Sequence, residues 1–212
     1  MTYIEDNKEL TGLFFGSFNP LHNGHLEIAR FLLREKWCNE IWFVISPQNP
    51  WKQNIALLPE QLRLEIVQTA IAEDCRMSAC DIEFSMHRPS YTYLTLRALD
   101  RQYPRKNFAL IIGEDNFGRF HLWKDHEEIS ARYTIFVYPR PGFETQVSAT
   151  ENVKMISAPL LTVSSSEIRQ KVAEGRDISD DVPTPVVNLV ERYYRIWPPA
   201  STRDEKNIIR RV

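Results

Sequence analysis

The run Gly16-Ser17-Phe18-Asn19-Pro20-Leu21-His22-Asn23-Gly24-His25 gathers residues that can hold phosphate. A glycine lets backbone amides approach an anion with no side chain in the way. His22 and His25 are three positions apart, so on the first turn of a helix they point the same way. The free N–H groups and positive dipole end of such a helix add to the attraction. Two imidazoles beside a glycine loop make a clamp for a polyphosphate. The run lacks the Lys-Ser/Thr ending of a P-loop and lacks G-x-G-x-x-G, so neither of those motifs accounts for it. A metal pair is the other reading of two histidines. It needs further ligands at a set spacing, and His87, His121 and His126 show none, so no metal site is expected.

A second group lies about 140 residues further on, in Val163-Ser164-Ser165-Ser166-Glu167-Ile168-Arg169. Ser164 and Glu167 have the reciprocal spacing of a capping box, which starts a helix. Arg169 follows one turn later. By itself a capping box of this kind is structural in most proteins.

Such residues act together only if the fold brings them together. Short apolar runs alternate with longer helical patterns, which predicts an α/β protein: a Rossmann-like, doubly wound parallel sheet with a C-terminal helical part. Strands are expected at Thr11 to Phe15, Ile41 to Ile45, Met77 to Phe84, Phe108 to Ile112, Tyr133 to Tyr138 and Val153 to Ile156. Helices are expected at Gly24 to Trp37, Leu62 to Ala72 and Thr92 to Gln102, after Ser164, and from Pro185 to about Arg195. The chain reads as one domain over residues 1–212, with its core at about 11–195; the stretch 196–212 is left unassigned. Gly16, Ser46 to Lys52, Gly113 and Arg140 all fall just after strand candidates. Open parallel sheets bind ligands beyond the carboxyl ends of their strands, so these residues converge on one edge.

The first segment resembles the His-x-Gly-His signature of the nucleotidylyltransferase superfamily, and the second resembles its serine-rich helix start. The elements between them are similar to those of bacterial nicotinate mononucleotide adenylyltransferases. Pro89-Ser90-Tyr91-Thr92 resembles that family's Gly/Pro-Ser-Tyr-Thr element. Ile112-Gly113-Glu114-Asp115-Asn116, Leu122-Trp123-Lys124 and Val137-Tyr138-Pro139-Arg140-Pro141-Gly142 resemble three more. Glu114 stands where alanine is frequent and is expected to point away from the phosphates.

The resemblance implies transfer of the adenylyl group of ATP to nicotinate mononucleotide, giving nicotinate adenine dinucleotide and pyrophosphate in NAD biosynthesis. It implies ATP contacts from Gly16, Ser17, Phe18, His22, His25, Gly113, Asp115, Arg140, Ser164, Ser165, Ser166 and Arg169. His22, His25, Lys52 and Arg169 would carry catalysis, supplying cations with a Mg²⁺ that ATP brings. Ser17, Lys52, Arg88, Thr92, Trp123 and Lys124 would meet the mononucleotide, with Trp123 on the pyridine ring and Lys124 near its carboxylate. Nicotinamide mononucleotide and phosphopantetheine remain open as acceptors, as does a non-catalytic nucleotide-binding regulator. His22 and Ser90-Tyr91-Thr92 speak against phosphopantetheine.

Composition sets outer limits. A formal net charge of -2 over 212 residues gives no field that draws the chain to nucleic acid or membrane. No basic stripe or RNA motif is present. No apolar run reaches the ~20 residues needed to span a bilayer, and Met1 to Leu10 does not show the charged-then-apolar pattern expected of a signal peptide. The three cysteines, Cys38, Cys75 and Cys80, show no metal or disulfide spacing and fit a reducing cytoplasm. Oligomeric state is left open, a homo-oligomer included.

Overall fold

The structure, a computed structural model, describes residues 9–47, 57–143, 152–159 and 162–197. Six strands form the sheet: β1 (Leu10–Gly16), β2 (Glu40–Ile45), β3 (Met77–Cys80), β4 (Asn107–Gly113), β5 (Thr134–Tyr138) and β6 (Val153–Met155). Their order is β3-β2-β1-β4-β5-β6, and every pairing is parallel. The order reverses between β1 and β4, where a doubly wound sheet opens its ligand crevice.

The near-continuous apolar runs follow from burial on both faces. Side chains alternate across a strand, so Phe14, Phe43 and Ile111 enter one core while Leu13, Val44 and Leu110 enter the other. The first core is covered by α1 (Asn23–Arg34), α2 (Glu60–Ile71), α6 (Ser165–Ala173) and α7 (Val187–Arg195). The second is covered by α3 (Thr92–Gln102) and α5 (His126–Arg132). A single turn, α4 (Glu114–Phe117), leaves the end of β4.

Two boundaries and one helix differ most from the sequence reading. α1 stops at Arg34 rather than Trp37 because the chain turns at Lys36, whose φ is 58°. β3 ends at Cys80, since a 3-10 turn over Ile82–Ser85 begins where Phe84 N–H bonds the Asp81 carbonyl at 2.8 Å. α5 was not foreseen: it is short, mostly polar and buries only Ile129. The C-terminal helical part is α6 and α7, and the latter ends at Arg195 as expected. Ile196 and Trp197 belong to the unassigned stretch, and the rest of it lies outside the described residues. Among the described residues no helix is long and apolar enough to cross a membrane.

Candidate active site

β1 delivers the glycine loop and α1 takes over after it. A Cβ on Gly16 would fall 2.8 Å from the Phe18 ring, so this position must be bare. Phe18 has a φ of 43°, a left-handed conformation that is rare for a bulky residue and is retained where the surroundings enforce it. Its ring is buried, edge-on to Phe14 at 5.9 Å, Phe43 at 5.5 Å and His25 at 5.1 Å. Phe18 therefore gives its ring to the core and only its backbone to the loop.

His22 is the N-cap of α1 and His25 sits on its first turn. The two rings stack, with centroids 3.7 Å apart and planes 31° from parallel. The His22 backbone N–H donates to His25 Nδ1 at 3.3 Å. That nitrogen is thus an acceptor, and the neutral His25 ring carries its proton on Nε2. Burial pushes the His22 imidazole down to about 3, with the nearby Arg140 charge adding to the effect. Burial holds His25 well below the usual histidine range, and His22 and Arg140 lower it further. The expectation that these histidines act as cations is corrected here: without ligand both are neutral N–H donors. His22 Nδ1 is buried and has no hydrogen-bond partner among the described residues.

The serine-rich segment closes onto this loop. Arg169 Nη1 donates to the Asn19 carbonyl at 2.7 Å and Nη2 to Ser166 Oγ at 3.1 Å. Ser165 Oγ donates to the Pro20 carbonyl at 2.9 Å. Ser164 Oγ accepts from the Glu167 N–H at 3.2 Å, the first half of the expected capping box. The second half differs: the Glu167 carboxylate takes the Ser164 hydroxyl at 2.9 Å. Arg169 is half-buried, and no carboxylate pairs with it among the described residues.

The third wall comes from the ends of β4 and β5. A Cβ on Gly113 would lie 2.5 Å from Asp115 Oδ1 and 3.1 Å from the Tyr138 ring, so glycine lets Asp115 fold back over the strand end. Arg140 Nε stands 3.7 Å from Asp115 Oδ1, an ion pair too long for a hydrogen bond. Arg140 Nη2 donates to the Tyr138 hydroxyl at 3.3 Å, and the guanidinium carbon lies 5.3 Å from that ring's centroid. Glu114 is buried. A cleft lined by His22, Gly24, His25, Tyr138, Arg140 and Val163 joins these walls.

The residues expected on the acceptor side form a second group. Thr92 opens α3, and Lys124 Nζ lies over the rings of Tyr91 and Tyr93, 5.3 Å and 5.5 Å from their centroids. Trp123 packs on Phe120 at 5.5 Å. Ser90 donates to buried Glu83 at 2.7 Å, and Thr95 donates to its other oxygen at 2.8 Å. Arg88 instead pairs with Glu60, at 2.6 Å and 2.7 Å, on the start of α2. Lys52 lies outside the described residues.

Sequence reasoning missed three supporting residues. Asn19 Oδ1 accepts from Tyr194 at 2.7 Å and from the Leu58 N–H at 3.1 Å, which ties the loop to α7 and to the approach of α2. Glu83 anchors the loop that carries Ser90. Arg63 is buried with four backbone carbonyls around it. Arg63 did leave a signal, because it falls in register with Ile66 and Val67 on the buried stripe of α2.

Comparison with known proteins accords with this geometry. The cytidylyltransferase-like family model matches residues 13–171. The chain is 44% identical over 186 residues to a probable nicotinate-nucleotide adenylyltransferase of Cytophaga hutchinsonii, covering 86% of this chain and 97% of that one. It is 41% identical over 196 residues to the protein of the same name from Bacteroides thetaiotaomicron, covering 92% and 97%. In fold it is similar to the nicotinic acid mononucleotide adenylyltransferase of Plasmodium falciparum complexed with NaAD. There the TM-score is 0.72 at 19% identity, over 87% of this chain and 96% of that one.

Proposed function

Since the chain belongs to the nicotinate-nucleotide adenylyltransferases of the cytidylyltransferase-like family, we propose that it transfers the adenylyl group of ATP to nicotinate mononucleotide. The products are nicotinate adenine dinucleotide and pyrophosphate, and the reaction serves NAD biosynthesis. One observation carries the assignment to this site: Arg169 and Ser165 hydrogen-bond the Asn19 and Pro20 carbonyls, so the two segments that suit a polyphosphate form one cradle.

In this reading a phosphate oxygen of the mononucleotide attacks the α-phosphorus of ATP. The bond to the bridging oxygen breaks and pyrophosphate leaves in line. A phosphate is already a competent nucleophile at neutral pH, so no general base is required. The protein positions two anions and stabilises the charge that develops. His22 and His25 donate N–H bonds from an apolar, stacked pair, and Arg169 supplies fixed charge. Arg140 and Asp115 are assigned to the adenosine end on resemblance. Lys52 is assigned to the meeting point of the two substrates' phosphates on resemblance alone.

We assign Mg²⁺ to the nucleotide's phosphate oxygens. It is a hard cation that prefers oxygen ligands, whereas the cradle offers imidazole and guanidinium donors. When bound it neutralises phosphate charge. We place the reaction in the cytoplasm, in keeping with the unpaired Cys38, Cys75 and Cys80.

The test is pyrophosphate release from ATP with nicotinate mononucleotide, nicotinamide mononucleotide or phosphopantetheine, each with and without Mg²⁺. Fastest turnover on the nicotinate compound is expected. No release with any acceptor would sink the reading in favour of a non-catalytic nucleotide binder.

A further inference from the structure

Arg63 is a charged residue in the middle of a core. It is 1% exposed, lies on α2 and packs beneath the edge where β1 and β2 end. Four of its five N–H groups reach backbone carbonyls. Nε donates to Leu58 at 2.8 Å, Nη1 to Ser46 at 2.9 Å and also to Ser17, and Nη2 to Pro47 at 3.1 Å. No carboxylate pairs with it among the described residues. The charged groups that bear on it are Glu60 and Arg88, which are paired with each other.

Burying a guanidinium is costly unless its donors are satisfied. If the core alone were at stake, an apolar side chain would fill this space at less cost. What an apolar residue cannot do is pull three separate chain segments to one point. Ser17 belongs to the glycine loop, Ser46 and Pro47 follow β2, and Leu58 precedes α2. The Ser17–Phe18 peptide is planar and trans, so directing its carbonyl to Arg63 turns the Phe18 N–H to the opposite side. Phe18 is the residue held at a φ of 43°. Leu58 is also tied to Asn19, whose carbonyl holds Arg169.

We propose that Arg63 is a positioning residue for adenylyl transfer: its fork gathers the carbonyls of Ser17, Ser46, Pro47 and Leu58 and so fixes the glycine loop in its strained, phosphate-ready conformation. It touches no substrate. The proposal rests on the adenylyltransferase reading, and ATP binding tests it apart from that reading.

The experiment compares wild type with Arg63→Lys and Arg63→Gln. Fold is checked by circular dichroism and urea unfolding, and kcat and both KM values are measured at a temperature where each variant is folded. ATP affinity is measured by calorimetry without acceptor. A folded variant should lose about tenfold or more in kcat, because misplacing a substrate by about an ångström can cost about a hundredfold. ATP affinity should fall with it, while the acceptor KM changes little. Lysine, which keeps the charge but not the fork, should rescue only in part. A folded variant with a smaller loss in kcat, or failure of both variants to fold, would assign Arg63 to the core alone and overturn the proposal. If wild type turns over none of the three acceptors, the reading of the reaction fails instead, and weakened ATP binding in the variants still supports the role in the loop.

Discussion

The Arg169 guanidinium donates to the Asn19 carbonyl at 2.7 Å, across 150 residues of sequence. The contact joins the second turn of α6 to the loop after β1, and it leaves the arginine's charge without a carboxylate among the described residues. A cation held by a carbonyl and a hydroxyl keeps its charge available to a phosphate. Arg169→Met should therefore reduce kcat/KM for ATP by about 1.5–3 kcal/mol, the range for hydrogen bonds to charged groups. Steady-state kinetics with ATP varied would show roughly a ten- to hundredfold loss. An unchanged kcat/KM would remove Arg169 from the cradle.

The two histidines should differ from a pair of cations in how they respond to pH. His22→Ala or His25→Ala should cost about 2–4 kcal/mol of transition-state stabilisation, as for loss of one preorganised donor. Since both imidazoles are neutral without ligand, wild-type kcat/KM should stay level from pH 8 down to about 6.5 with no inflection from either histidine. A fall in rate as pH rises from 6.5 to 8 would show that the protonated rings are the active form.

Stability should carry the same signature with a definite sign. His22 sits at about 3 when folded against about 6.5 when unfolded, so the unfolded chain binds the proton more readily. Stability is then fully present above pH 6.5 and is lost as pH falls toward 3. Between pH 7 and 5, His22 alone should remove about 2 kcal/mol. Urea unfolding of wild type and His22→Gln at both pH values would show it, as a smaller pH dependence in the variant. Equal dependence in both proteins would refute the burial of a neutral His22.

Much of the candidate site was legible because its residues lie at fixed local spacing. His22 and His25, and likewise Ser164 to Arg169, are short-range patterns on helix starts, and the sheet order then brings them together. The supporting residues were hidden for the opposite reason. Asn19, Glu83 and Arg63 act through partners that only the fold supplies: Tyr194, Ser90 and four carbonyls. The charge state of the histidines was hidden too, because it depends on Phe14, Phe18 and Arg140 around them. Arg88 shows the converse, since it lies beside the Ser90-Tyr91-Thr92 motif in sequence yet pairs with Glu60 on α2.

The Tyr194 hydroxyl, 2% exposed on α7, donates to Asn19 Oδ1 at 2.7 Å. Tyr194→Phe keeps the ring and removes this bond, while the Leu58 N–H still serves the same oxygen. The loss should be about 1 kcal/mol of stability, the usual net worth of a buried hydrogen bond. A urea midpoint within error of wild type would mean that α7 does not brace the glycine loop through this contact.

By resemblance, choice of acceptor is assigned to the second group of residues. Lys124 Nζ rests over Tyr91 and Tyr93, and no carboxylate pairs with it among the described residues. The aromatic faces hold the ammonium by cation–π attraction, and its remaining donors stay free for an anion. Nicotinate carries a carboxylate there and nicotinamide does not. Lys124→Gln should thus weaken kcat/KM for nicotinate mononucleotide by about 1–2 kcal/mol, roughly five- to thirtyfold, and leave the nicotinamide compound near its wild-type value. Trp123→Ala should raise KM for both acceptors and not for ATP, because stacking reads the ring rather than its substituent. Equal losses on both acceptors in Lys124→Gln would put the ammonium on the shared phosphate, and the discrimination would then have to come from backbone N–H groups at the start of α3.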